Sequence, residues 1–448
     1  MSGEIYERYN QRRKRNPEQR YKPEHGAARD QRPASRQIYA VTVGDPATFD
    51  IRRIANVDNL IQVWWERRQY GGQAHGVDGM TYNLSYGEMM KVLRNTEKAI
   101  LEQRYFPNKM RYVSIEKPNG GYRRLCIPTV IDRVVGRAVA EALRPVLAPA
   151  LPRMFGPTAG CQAILEAVKQ NIEQRGWYWI AVDDIRNCYP SIPTTLADQT
   201  FNSMYSTWHV PETERQGIPW LVSRLVTGSN QQNNTTLQQG GTLTPITAEI
   251  VLSNILDSQL ETTSQDTTIL HRYVDDIHIQ GPDRTSANDA MTEAQRLLNS
   301  HGLHLKNGGR MVKDIRHDSL TILGIEMKWT NGRICFSVPN RKWTELQEGL
   351  TIDNGGSLNQ TQSKIIGFIN AYRLTMVGQQ NRSVSQVFNC VRKAGICQFS
   401  KTTIAAWVDR SCAKGTSRTE NQPERQNETI PLWEYGTSGT GTNEGAPF

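Results

Sequence analysis

The sequence has no uninterrupted apolar run of the roughly 20 residues that a helix needs to cross a bilayer, and its first residues lack the apolar core of a secretory leader. Both absences predict a soluble, cytoplasmic chain with no membrane partner. Cysteine is sparse. The seven present (Cys126, Cys161, Cys188, Cys335, Cys390, Cys397 and Cys412) are odd in number, scattered, and never spaced Cys-x-x-Cys. That excludes a disulfide framework, offers no zinc-site spacing and fits a reducing compartment. Acidic residues are in deficit: 53 Lys and Arg face 44 Asp and Glu, for a net charge of +9. Such a balance favours a polyanionic partner. Core material is not lacking. With 38% hydrophobic residues, 10 Trp and 16 Tyr, the 448-residue chain can build two or three domains or one multi-lobed enzyme.

The positive charge sits at two ends. Residues 1–36 carry ten Lys and Arg against five Asp and Glu, with almost no aliphatic residue. This composition predicts a flexible basic arm, either a solubilising tail or a nucleic-acid grip. Residues 341–412 carry nine against four, on stripes (Ile365, Phe368, Ile369, Tyr372; Val384, Val387, Phe388, Val391) that repeat at helical spacing. Each segment is net +5, so the remainder is near neutral. Residues 413–448, rich in Gly, Thr, Ser, Asn and Glu, are expected to be a disordered tail.

The chemistry concentrates in two short stretches. Residues 269–281, Ile-Leu-His-Arg-Tyr-Val-Asp-Asp-Ile-His-Ile-Gln-Gly, alternate apolar and polar on both sides of Asp275-Asp276. That pattern predicts a hairpin with two carboxylates at its turn. Alone, such a turn is a solvated tip. Upstream, however, Trp177–Val182 is a second apolar strand that also ends in paired aspartates, Asp183 and Asp184. Carboxylates delivered from two sequence-distant strands make an oxygen site for Mg²⁺. Two such ions can hold the attacking and leaving oxygens of a phosphoryl transfer. Strand alternation turns Asp183 to the face opposite Asp184, which ranks it second as a ligand.

Tyr273-Val274-Asp275-Asp276 resembles the Tyr-x-Asp-Asp motif of reverse transcriptases, and Asp184 through Ile192 resembles their first catalytic motif. The latter carries Pro190-Ser191-Ile192, the form seen in bacterial retron and phage-defence relatives. Further segments are similar in the right order. Gly76-Val77-Asp78-Gly79-Met80-Thr81 resembles the segment ahead of the fingers in group II intron-type enzymes. Lys117-Pro118-Asn119-Gly120, followed by Arg123 on a return strand, resembles the fingers hairpin, and Thr129–Val135 continues it. Ile322-Leu323-Gly324 fits the hairpin that supports the primer end. Two departures stand out. Residues 153–164 lack the arginines of the intron enzymes. Aligned from Gly241 to Asn254, the third palm motif has Thr244-Pro245 in place of Gln-Gly and Glu249-Ile250 in place of Ser-Pro, while Asn254 is kept. That alignment predicts an altered templating floor and a repetitive or biased product. Beyond Asn307, relatives place a Lys that could assist pyrophosphate departure; Arg310 and Lys313 are the candidates.

The resemblance implies an α+β right-hand polymerase of fingers, palm and thumb, with a split βαβ palm and a helical thumb-like C-terminal unit. The expected boundaries are 1–36 for the arm, 37–170 for an N-terminal extension and the fingers, 171–338 for the palm, 339–412 for the helical thumb and 413–448 for the tail. It implies that Asp184 and Asp275 hold two Mg²⁺ ions, for which Mn²⁺ can substitute. The carbonyl of Ile185 would join one ion, and Asp276 would support the site. Lys117, Arg123 and Asn254 would contact the nucleotide, and Tyr189 would exclude a ribose 2′-hydroxyl. The implied activity is RNA-directed DNA synthesis from dNTPs on a companion structured noncoding RNA. The style is that of bacterial defence-associated enzymes of the abortive-infection and unknown groups. A group II intron-like or retron-like retroelement enzyme is the alternative, although no maturase or Cys/His-rich endonuclease spacing is present. A catalytically idle RNA-binding scaffold is the alternative of another class, and the intact aspartates argue against it. A homo-oligomer is left open.

Overall fold

The computed structural model describes residues 50–116, 120–155, 160–207, 217–228, 235–264, 267–352 and 358–416. The expected basic arm, most of the expected C-terminal tail and Lys117 lie outside these residues. No helix of the described residues is long and apolar enough to cross a membrane.

The first described helix begins at Ile51, where the Asp50 side chain caps the first turn by accepting from Arg52 N. The Val57–Tyr70, Tyr86–Leu101 and Val130–Ala150 helices then pack through Leu60, Trp64, Met89, Leu93, Val134 and Val135. Ser85 and Glu88 form a capping box at the start of the second of these, satisfying two end donors at once. Between them lies an antiparallel hairpin of strands β1 (Arg111–Glu116) and β2 (Tyr122–Ile127), in which Ile115 faces Arg123.

The central sheet contains β3 (Trp179–Asp184), β4 (Ile269–Tyr273), β5 (Asp276–Gly281) and β6 (Val312–Asp314), in the order β4-β5-β3-β6. All its neighbours are antiparallel. The connection from β3 to β4 holds the Thr194–Ser206, Gly217–Thr227 and Thr244–Leu252 helices, and that from β5 to β6 holds Arg284–Asn299. This β-α-β-β-α-β path is the split βαβ arrangement. Period-two alternation divides the strands cleanly. Ala181, Ile185, Ile277 and Ile279 join the large helical core on one face. Ile180 and Val182 face a second core with Ile164, Leu165 and Val168 of the Cys161–Arg175 helix. That core also receives the small sheet β7 (Leu320–Ile322), β8 (Ile325–Thr330) and β9 (Arg333–Ser337). Mixed helix and antiparallel sheet make the chain α+β.

The Asn340–Ile352, Leu358–Ala371, Gln380–Lys393 and Lys401–Thr416 helices have a core of their own, containing Ile365, Ile369, Val384, Val387 and Val391. The last helix runs four residues past the boundary expected at 412.

Candidate active site

Register builds the site. Asp184, at the end of β3, stands opposite Asp276, at the start of β5. Asp276 also pairs with Tyr273, so a two-residue turn, Val274-Asp275, closes the β4–β5 hairpin. Tight hairpins of this length need a positive φ, normally met by glycine or asparagine. Here Val274 supplies it, at φ +56°. A β-branched residue is strained in that region and stays there only when its surroundings hold it. Two bonds do so at consecutive carbonyls. Arg272 Nη1 donates to Val274 O at 2.9 Å, and Ile185 N donates to Asp275 O at 2.9 Å. The second bond ties the two aspartate motifs together through the backbone, with Ile185 itself 2% exposed.

The three carboxyls are half-buried and strongly interacting. Burial, then the hydrogen bond and charge of Asp184, push Asp276 up to about 8. Burial and the neighbouring Asp184 also raise Asp275, against the pull of Arg123 and Lys306. Burial disfavours the charged form of Asp184, but hydrogen bonds from Asp276 and Lys306, with the charge of Lys306, outweigh it and hold this carboxyl below its ordinary range. The two carboxyls thus resist ionising together.

Lys306 Nζ lies 2.8 Å from Asp184 Oδ2. Lys306 is not among the cations that the sequence singles out beyond Asn307, which are Arg310 and Lys313. Lys313 Nζ instead donates to Ser319 O at 3.2 Å. Leu303 and Leu305 are buried and Lys306 is exposed, and Leu305 bridges Ile185. Alternation along 303–306 was the available signal: it turns Lys306 away from the core, beside the end of β3.

Asp183 does different work. It is 3% exposed, and its carboxylate accepts from Asp184 N (2.8 Å), Asn307 N (3.0 Å), Asn307 Nδ2 (3.1 Å) and Gly309 N (2.6 Å). Gly308 and Gly309, at φ +68° and +69°, let the 307–309 backbone curl around it. A carboxylate so filled with donors anchors a loop.

Residues 115–325 match the family model described as reverse transcriptase (RNA-dependent DNA polymerase). The chain is an RNA-directed DNA polymerase. A comparison with curated proteins returned no match. The matched stretch runs from β1 to the first residue of β8, and so spans both aspartate motifs.

Reverse transcriptases use divalent metals such as Mg²⁺, and the polymerase offers oxygen donors suited to a hard cation. As they stand, no three acidic or imidazole side chains among the described residues are gathered closely enough to ligate an ion. Asp184 is engaged by Lys306 and Asp276 instead. Arg123 is exposed on β2, and its positive charge favours the ionised form of Asp275. Tyr189, on the short Cys188–Ser191 helix, lines a pocket with Met154, Pro245, Glu249, Tyr273 and Val274.

The third motif needs a correction of register. Thr244 opens the Thr244–Leu252 helix with Pro245 in the first turn, where a missing N–H costs nothing. Upstream, Gln239 O accepts from Cys126 N at 2.8 Å, and Gly240 sits at φ +102°. A Cβ on Gly240 would fall 2.1 Å from Cys126 O, so only glycine fits this crossing. Gln-Gly followed five residues later by a hydroxyl residue and Pro is therefore present, as Gln239-Gly240 and Thr244-Pro245. Counting from Gly241-Thr242 had displaced it by five. The expectation of a lost templating floor falls with the old register, and so does the placement of Asn254. Asn254 is exposed on a π-turn (Ser253–Asp257), and its side chain has no hydrogen-bond partner among the described residues. The corrected register puts Glu249 where relatives have that Asn.

Glu249 is no surface residue. It forms a bidentate pair with Arg272, which Asp257 grips from its other edge. None of this was anticipated from the sequence.

Proposed function

We propose that the enzyme extends a primer with dNTPs at Asp184 and Asp275, using two Mg²⁺ ions, with Asp276 and the Ile185 carbonyl in support. The observation that carries this reading is the pairing of Asp184 with Asp276 beside a turn whose Asp275 carbonyl is bonded to Ile185. Bound there, Mg²⁺ supplies positive charge to the attacking and leaving oxygens of the transferred phosphoryl group. Asp183 keeps the 307–309 loop folded beside β3, and Lys306 neutralises Asp184 in the resting protein. In this reading residues 171–338 are the palm, the β1–β2 hairpin belongs to the fingers with Arg123 reaching the triphosphate, and the helices from Asn340 onward form the thumb.

Tyr189 supplies the first test. Its half-buried ring lines the pocket beside the Tyr273–Val274 turn, where it would meet a ribose 2′-hydroxyl. Tyr189→Ala should raise the ratio of rNTP to dNTP incorporation. A sterically guarded pocket discriminates by a few kcal/mol, so the ratio should rise by about 100-fold. An unchanged ratio would show that another residue guards the sugar.

The template we propose is a dedicated structured RNA. Its support is the concentration of charge in residues 1–36 and 341–412, each net +5 on an otherwise near-neutral chain. Phosphate contacts position a folded RNA, and released counterions drive its binding. One abundant RNA should copurify, and deleting residues 2–36 should flatten the salt dependence by about 0.7 in slope per lost phosphate contact. Heterogeneous RNA, bound as tightly by the truncated protein at every salt concentration, would rule this out. With Gln239-Gly240 in place, the third motif no longer separates the chain from retroelement-type enzymes.

A further inference from the structure

We propose that Arg272, held by Glu249 and Asp257, is the positioning residue of the Val274–Asp275 turn. The inference rests on reading Asp275 as an active-site carboxylate.

The guanidinium is fully enclosed and every N–H donor is used. Nε reaches Asp257 Oδ1 at 2.8 Å; Nη2 reaches Asp257 Oδ2 at 2.7 Å and Glu249 Oε1 at 2.8 Å; Nη1 reaches Glu249 Oε2 at 2.8 Å. One donor remains, and Nη1 gives it to Val274 O at 2.9 Å. Two planar forks fix the ring of nitrogens in one plane, so the direction of that last bond is fixed as well. Arg153 closes the cluster from the solvent side, 3.3 Å from Asp257 and 2.7 Å from Glu261.

The helix is shaped to make the grip. Residues eight apart on a regular α-helix lie about 80° apart around its axis. Glu249 and Asp257 are eight apart, but the π-turn at Ser253–Asp257 intervenes. One extra residue in the winding removes most of that angle, which brings both carboxylates to one guanidinium. Buried ion clusters are a poor way to gain stability, because apolar side chains of similar volume serve as well or better. This one ends on the carbonyl of a valine strained at φ +56°. Arg272 and Ile185 N, the latter just past the end of β3, hold consecutive carbonyls and so restrain the intervening peptide.

The test compares Arg272→Lys, which keeps the charge but loses the fork, with Glu249→Gln, which keeps an acceptor but loses the charge. Both are measured as full-length proteins for kcat, dNTP KM and hydrogen exchange at the Ile185 and Asp276 amides. A turn misplaced by about 1 Å lowers kcat by about 100-fold. Arg272→Lys should show that loss with KM little changed and exchange at both amides faster, and Glu249→Gln a smaller loss in the same direction. If Arg272→Lys does not fold, Glu249→Gln alone decides. Unchanged exchange with unchanged kcat, even with a lower melting temperature, would reduce the cluster to ordinary core and overturn the proposal. Faster exchange with unchanged kcat would instead overturn the reading of Asp275 as catalytic.

Discussion

Asp275→Ala should yield a folded protein that has lost nearly all DNA synthesis, and Asp184→Ala should do the same. Each removes an oxygen donor from a site proposed to gather positive charge around a reacting phosphoryl group. Such stabilisation is worth several kcal/mol, and each 1.4 kcal/mol is tenfold, so the loss is about 1,000-fold or more. The fold survives for an electrostatic reason. Burial and the charge of Asp184 already disfavour an ionised Asp275, so its removal relieves repulsion among three crowded carboxyls. Primer extension against a thermal melt is the measurement. Near-normal synthesis by Asp275→Ala would sink the assignment.

The adjacent residue should behave in the opposite way. Asp183→Ala strips the acceptor from the backbone N–H groups of Asn307 and Gly309 and from the Asn307 amide; Asp183 and Gly309 are buried, while Asn307 is exposed. Buried donors left without a partner cost about 1–3 kcal/mol each, so the variant should lose about 3–5 kcal/mol of stability. That corresponds to a fall of about 10 °C in melting temperature. Asp183→Asn should fall between, because it keeps one oxygen but turns an NH₂ group toward N–H donors. If Asp183→Ala melts like the parent protein and yet stops metal-dependent synthesis, the ligand assignments of 183 and 184 must be exchanged.

The sequence made the strands legible because their information is local. Ile277 and Ile279 alternate with His278 and Gln280, Ala181 alternates with Ile180 and Val182, and each strand carries its aspartate doublet at one end. Both strands follow from that alternation, whereas the pairing that sets Asp184 opposite Asp276 is a property of the folded sheet. What escaped was decided by approach between distant segments. Arg272 looked like one more alternating strand residue, since its partners lie 15 and 23 residues upstream and meet it only because the helix contains a π-turn. Asp183 could be assigned to a face of β3, but not to a loop whose glycines fold around it. The third motif slipped because Gly241-Thr242 imitates its start, whereas the residue that fixes the register is Gly240, pressed against Cys126. Sequence spacing gives no sign of that crossing.

The ammonium beside Asp184 also bears on how the metal enters. Lys306 is a counterion attached to the chain, 60% exposed and 2.8 Å from the carboxylate. A tethered partner acts at an effective concentration of about millimolar. A divalent ion brings twice the charge to the same oxygens and can displace it. On the proposed reading, Mg²⁺ enters this site by releasing a bound ammonium, so loading is an exchange of one cation for another rather than the filling of an open cage.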